Sequence, residues 1–116
     1  MGIPKHDGEG RSITAEYKDF IVVAVYVPNS GDGLARLDYR VNEWDVDFHN
    51  HLRNLKEKKN KPLILAGDLN VALHNIDVYD PVRLDGVACF TQEERKSFQN
   101  FLDMGFIDTF RHLYPT

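Results

Sequence analysis

The sequence predicts an α/β layered fold, and three observations carry that expectation. Two short apolar runs rich in β-branched residues, Phe20–Val27 and Pro62–Gly67, read as strands. Between them, Leu34, Leu37, Val41, Trp44, Phe48, Leu52 and Leu55 recur at steps of three and four, the stripe of an amphipathic helix. A second helix opens on Thr91-Gln92-Glu93-Glu94, a capping box. Strands alternating with helices in this way are the pattern of a sheet layered with helices.

Each element follows in order. Residues 1–10 hold three glycines, a proline and mixed charge, and read as a loop or ragged end. Arg11–Tyr17 alternates like a half-buried strand, and Lys18-Asp19 turns the chain into Phe20–Val27. The two strands are expected to form a meander, the second covered on both faces. Pro28–Gly33 is a loop. The long helix places Trp44 and Phe48 in the core and Arg36, Arg40, Glu43, Asp47 and Lys56 mostly off the apolar stripe. Lys56–Lys61 ends it with positive charge, which suits the C-terminal dipole and reads as a solvated helix end. Pro62–Gly67 is a second buried strand. Residues 71–90 are irregular, with Pro81 and Gly86 as breakers. The second helix shows Phe98, Phe101 and Leu102 on one face and ends at Gly105.

With 116 residues the chain holds one domain, and 42% hydrophobic with 28% charged residues is ordinary for a globular protein. A net charge of -4 argues against a generally basic nucleic-acid binder but leaves room for a local basic patch. The single cysteine, Cys89, excludes a disulfide within the chain and reads as a small half-buried hydrophobe. The apolar run Phe20–Val27 is too short to span a bilayer. His6, His49 and His51 show no metal-ligand spacing, and His74 reads as a solvated loop residue.

The candidate chemistry lies at two strand ends. Gly67-Asp68-Leu69-Asn70 places a carboxylate and a carboxamide two residues apart, on one side of an extended chain. Such a pair can orient water or bind a metal or phosphate oxygen, and it can equally cap the turn that follows. Tyr26-Val27-Pro28-Asn29 ends the other strand in the same manner, with a phenol and an amide that can hydrogen-bond a phosphate. Strand ends converging on one edge are where α/β proteins hold ligands.

Taken together, Val25-Tyr26-Val27-Pro28-Asn29, Gly33–Arg40 and Gly67-Asp68-Leu69-Asn70-Val71-Ala72 resemble the exonuclease III family of AP endonucleases. Glu9-Gly10-Arg11, Ile76-Asp77, Phe90–Arg95 and Asp108–Pro115 extend the likeness along nearly the whole chain. The resemblance implies part of a four-layer αββα sandwich of the DNase I-like kind, incomplete at both ends, with residues 1–116 forming one partial domain. It implies a Mg²⁺-dependent hydrolase, with Mn²⁺ as an alternative ion, that cuts the phosphodiester 5′ to abasic sites in double-stranded DNA. Some members also act on 3′ ends. Carried over, Tyr26, Asp68 and Asn70 are catalytic, Asn29 and Arg36 contact the DNA backbone, and Asp68 and Asn70 are candidate metal ligands.

The family's main Glu ligand and its Asp-His pair fall in parts of the domain outside this sequence. The chain alone is therefore expected to be inactive and to need complementary N- and C-terminal parts. The alternatives are a related phosphoesterase, or an inactive fragment that at most binds DNA or a partner. Arg111 and His112 are expected to fix the chain's course rather than touch DNA. The expected location is intracellular: cytoplasm in a prokaryote, nucleus in a eukaryote.

Overall fold

In the computed structural model, which describes residues 1–116, β1 (Ser12–Glu16) pairs antiparallel with β2 (Ile21–Tyr26), Ser12 opposite Val25 and Glu16 opposite Ile21. This is the expected meander. β3 (Leu63–Asp68) lies on the other side of β2 and runs parallel to it, from Ile21 beside Leu63 to Tyr26 beside Asp68. A parallel pair needs a long crossover, and the helical stripe supplies it. The crossover begins with a short helical turn at Asp32–Leu34 and continues as a π-helical stretch, Tyr39–Trp44. That stretch runs straight into α2 (Asp45–Lys59). Asn60 ends α2 in the left-handed conformation, φ 48°.

α2 and α4 (Gln92–Asp103) cover one face of the sheet. Ile21, Val23 and Val25 form a single buried cluster with Trp44, Phe48, Leu52 and Phe101. The other face is open: Ala24 and Tyr26 are exposed, and Ile64 is 51% exposed. The expectation that both apolar strands are covered on two faces is thus met on one face only by residues 1–116 themselves. The helices form one layer, so alternate residues of each strand are left uncovered, whatever their hydrophobicity. The thin dimension of 19 Å fits one sheet plus one helix layer, a helix being about 10–12 Å across.

Residues 1–10 also depart from a bare loop. α1 (Pro4–Asp7) is a single helical turn, and His6 in it is 1% exposed. Its Nδ1 lies 2.8 Å from the Tyr39 hydroxyl and its Nε2 2.8 Å from Asp47 Oδ2. Two polar partners on one helix turn the segment inward, which glycine content could not reveal.

The rest follows the sequence reading more closely. Lys59 and Lys61 pair with Glu16 at 3.1 and 2.8 Å, so the basic run fastens the helix end to β1. Residues 71–90 hold only short turns, among them α3 (Pro81–Leu84). Thr91 and Glu94 make the capping box. α5 (Thr109–Leu113) is capped by Asp108, and Arg111 pairs with Asp77 and the Tyr114 carbonyl. Arg111 therefore fixes the chain's course, as expected. No helix is long and apolar enough to cross a membrane.

Candidate active site

β2 and β3 run parallel and end level, so Tyr26 and Asp68 are neighbours in register on the open face. Gly67 makes the approach possible. Its φ of +135° suits glycine, and a Cβ there would overlap the Val25 carbonyl oxygen. Arg11, just before β1, lies over the Tyr26 ring at 5.0 Å and donates to the Tyr26 carbonyl at 3.1 Å. The Tyr26 side chain stays 55% exposed.

Past β3 the chain stops being extended. Asn70 has φ +47°, so the rule that residues i and i+2 share a side no longer holds. Asp68 stays exposed and its Oδ1 accepts the Asn70 backbone N–H at 2.9 Å. Asn70 turns toward β2 and donates from Nδ2 to the Val27 carbonyl at 2.8 Å. A carbonyl can only accept, which fixes which end of the carboxamide is nitrogen. Asn70 Oδ1 then accepts from Asn29 Nδ2 at 3.3 Å, while Asn29 Oδ1 accepts from the Gly31 N–H at 2.8 Å. The turn-capping reading of the tetrapeptide is realised. Asp68 caps the turn, and the turn brings Asn70 to Asn29.

Four of the five sequence-derived residues, Tyr26, Asn29, Asp68 and Asn70, thus share one edge. Arg36 does not join them directly. Its guanidinium is 2.8 Å from Glu9 Oε1 and stacks 4.9 Å from the Tyr39 ring. Glu9 also holds Arg11 at 2.6 Å, so a chain of contacts runs Arg36–Glu9–Arg11–Tyr26. The Arg36 and Arg11 guanidinium groups pull the Glu9 carboxyl below the usual carboxylate range.

Behind the edge lies a polar network that sequence reasoning missed. Arg40, expected mostly off the helix stripe, is 2% exposed. It steps by four with Trp44, Phe48 and Leu52, so spacing places it on the buried face, and only its charge argued otherwise. Arg40 meets Glu94 at 3.0 Å and Asp45 at 3.2 Å. Asp45 also accepts from Ser97 Oγ at 2.7 Å. Glu94, fully buried, accepts from Ser30 Oγ at 2.9 Å, Thr91 Oγ1 at 2.7 Å and the Cys89 N–H at 3.0 Å. The capping box signalled Glu94, but only as a helix cap.

Cys89 was also missed as a neighbour of the edge. Its Sγ is 3.4 Å from both Asn70 Oδ1 and Asn29 Nδ2, and its φ is +74°. Burial, reinforced by the Glu94 carboxylate, pushes the thiol pKa up. Nothing in the sequence around Cys89 signals this.

An open hollow of about 350 Å³ adjoins the edge, lined in part by Asp68, Asn70, Asp77 and Asp108. No three His, Cys, Asp or Glu side chains converge in a way that could hold a metal ion. The Asp68 carboxylate is the open hard donor here, since Asn29 occupies the Asn70 carboxamide oxygen. These residues fit part of a divalent-cation ligand set.

No family model matches the chain. It is 53% identical over 116 residues to a DNA-(apurinic or apyrimidinic site) endonuclease of Dictyostelium discoideum, covering 99% of this chain and 32% of that protein. It is 45% identical over 115 residues to an exodeoxyribonuclease of Bacillus subtilis, covering 99% of this chain and 44% of that one. Among solved structures, the AP endonuclease of Leishmania major superposes with a TM-score of 0.82 at 34% identity, over 94% of this chain and 38% of that chain. The chain therefore spans about a third to under half of the length of these relatives.

Proposed function

On the premise that this chain belongs to the exonuclease III family of AP endonucleases, we propose that it supplies the water- and phosphate-orienting edge of a DNA-repair nuclease. The reaction is hydrolysis of the phosphodiester 5′ to an abasic site in double-stranded DNA, with 3′ exonuclease or 3′ phosphodiesterase activity in the complete enzyme. The observation that carries the reading is the convergence of Tyr26, Asp68, Asn29 and Asn70 at the level ends of two parallel strands.

The roles follow from what each group has free. Asp68 is exposed, with one carboxylate oxygen engaged by the turn and the other available. It orients the attacking water and takes its proton as the new oxygen–phosphorus bond forms and the phosphorus–oxygen bond opposite breaks, the departing 3′ oxygen taking a proton from solvent water. Asn29 holds the Asn70 carboxamide in place, and the second Asn70 Nδ2 hydrogen is left to donate to the phosphate; preorganised donors of this kind stabilise developing charge. The Tyr26 hydroxyl donates to a phosphate oxygen. Arg36 contacts the DNA backbone once released from Glu9.

Mg²⁺, or Mn²⁺ in its place, would neutralise phosphate charge when bound. Asp68 is this chain's contribution to holding it, ahead of Asn70. The remaining ligands and site residues come from complementary N- and C-terminal parts of the same domain. The 116 residues by themselves are therefore inactive. Action on DNA supports the location proposed here, the cytoplasm of a prokaryote or the nucleus of a eukaryote.

The test is a chimera. Residues 1–116 replace the matching section of the Dictyostelium endonuclease, and incision of an abasic duplex is measured with Mg²⁺. Incision is expected. Asp68→Asn and Asn70→Ala should each lower kcat by about 10²–10³. A chimera that folds but does not incise, or full activity after Asp68→Asn, overturns the reading. The free 116-residue chain is expected to show no incision.

A further inference from the structure

We infer that Arg40 is a positioning residue. Clamped inside the fold by Glu94 and Asp45, it fixes the backbone just past both strand ends, and so sets where Asn29 and Asn70 present their carboxamides. The inference rests on the nuclease reading above only for what those carboxamides do.

The contacts are specific. Arg40 Nη1 donates to the Asn70 carbonyl at 2.9 Å and the Pro28 carbonyl at 3.4 Å. Nη2 donates to the Leu69 carbonyl at 3.0 Å. Nη1 also reaches Glu94 at 3.0 Å, and Nε reaches Asp45 at 3.2 Å. One planar group thus holds the residue before Asn29, both residues after Asp68, and two carboxylates. A guanidinium has donors spread over a rigid fork, whereas an ammonium offers three from one point. No lysine can reach the same set.

Glu94 widens the clamp to further loops, through Ser30, Cys89 and Thr91. All of this is sealed from solvent, with the Arg40 side chain 3% and the Glu94 side chain 0% exposed. Arg40 therefore cannot touch a substrate bound at this edge. It acts through the backbone of residues that do. Stability alone is a weak account of the pair, because an apolar pair of similar volume often serves as well or better. What an apolar pair cannot do is hold three carbonyls of two loops in one register.

The test uses the chimera and two variants. Arg40→Met/Glu94→Gln removes the Arg40–Glu94 pair together and leaves Asp45 with the Ser97 hydroxyl as its partner. Expected is a folded protein whose kcat falls about 10²-fold while KM stays within about threefold, the signature of misplaced rather than missing groups. Arg40→Lys keeps the charge beside Glu94 and should recover about a tenth of the wild-type kcat. Wild-type kcat in a folded double variant overturns the inference. If the double variant does not fold, Arg40→Lys decides: wild-type kcat overturns the inference, and reduced kcat at unchanged melting temperature supports it. If the wild-type chimera itself fails to incise, the nuclease reading falls separately. The inference is then read by NMR of the full 116-residue chain. Arg40→Lys should shift the side-chain amide signals of Asn29 and Asn70 and leave the backbone amide signals of Ile21, Val23 and Val25 in place. Unshifted asparagine signals overturn it.

Discussion

Arg36 and Arg40 lie one helical turn apart, and each is held by a glutamate distant in sequence, yet they belong to opposite kinds of region. The inner cluster, Arg40 with Glu94 and Asp45, is dry and bonded to the backbone of the site. The outer cluster, Arg36 with Glu9 and Arg11, is wet, with the Arg36 and Glu9 side chains 40% and 42% exposed. Coulomb attraction is several-fold stronger in the first setting than in the second, and so is the cost of leaving one partner alone. The inner cluster can therefore set geometry but cannot exchange partners. The outer cluster can exchange Glu9 for a phosphate at little cost.

The largest effect that separates the two regions is on stability. Glu94→Ala leaves Arg40 buried with Asp45 as its only ion partner and removes acceptors from Ser30 and Thr91. Urea unfolding should register a loss of about 3–5 kcal/mol. Glu9→Ala, by contrast, should leave the urea midpoint unchanged, since exposed ion pairs are screened. Equal losses for both variants would break the distinction between a sealed and an open cluster.

Legibility of the fold followed the same division. Periodicity found all three strands, the crossover helix, the capped helix and Trp44 and Phe48 in the core, because those elements are local and apolar. It found the shared polar edge because Asp68, Asn70, Tyr26 and Asn29 end their strands abruptly. It missed which faces are covered, since β-branched residues such as Val22 and Ile64 look alike on either side of a sheet. It also set Arg40 off the buried stripe and read His6 as loop, because polarity suggested solvent. Their burial depends on partners 41 to 54 positions away, Asp47 for His6 and Glu94 for Arg40, which no local pattern encodes.

Cys89 sits between the inner cluster and the edge it supports, and gives a mid-sized prediction. Its backbone N–H is held by Glu94, while its sulfur faces Asn70 and Asn29. Burial and then the Glu94 carboxylate hold its pKa above the ordinary thiol value, so little thiolate exists at neutral pH. Iodoacetamide should label Cys89 more slowly than a free thiol at pH 7.5. The rate should rise only as pH passes the ordinary thiol range. Glu94→Gln should accelerate labelling by removing one of the two causes. A labelling rate equal to that of a free thiol, or indifferent to Glu94→Gln, would detach Cys89 from the inner cluster.

The smallest effect concerns the outer cluster, and it tests whether Arg36 is available to DNA. The Glu9 carboxyl is held low by Arg36 first and Arg11 second. A lowered folded-state pKa means that the tether is fully formed above the ordinary carboxylate range. It is lost only as pH falls through the depressed value. At neutral pH Arg36 must therefore leave Glu9 before it can take a phosphate, and Glu9→Gln removes that competition. In the chimera, anisotropy titration with an abasic duplex should show affinity rising about two- to fivefold. The slope of log affinity against log salt should steepen by about one, the increment of one added phosphate contact. The inner cluster predicts no such exchange, since Arg40 is buried and already bonded to Glu94, Asp45 and three backbone carbonyls. Unchanged affinity and slope after Glu9→Gln would mean that Arg36 serves the N-terminal segment alone, and that the DNA contacts of this edge end at Asn29.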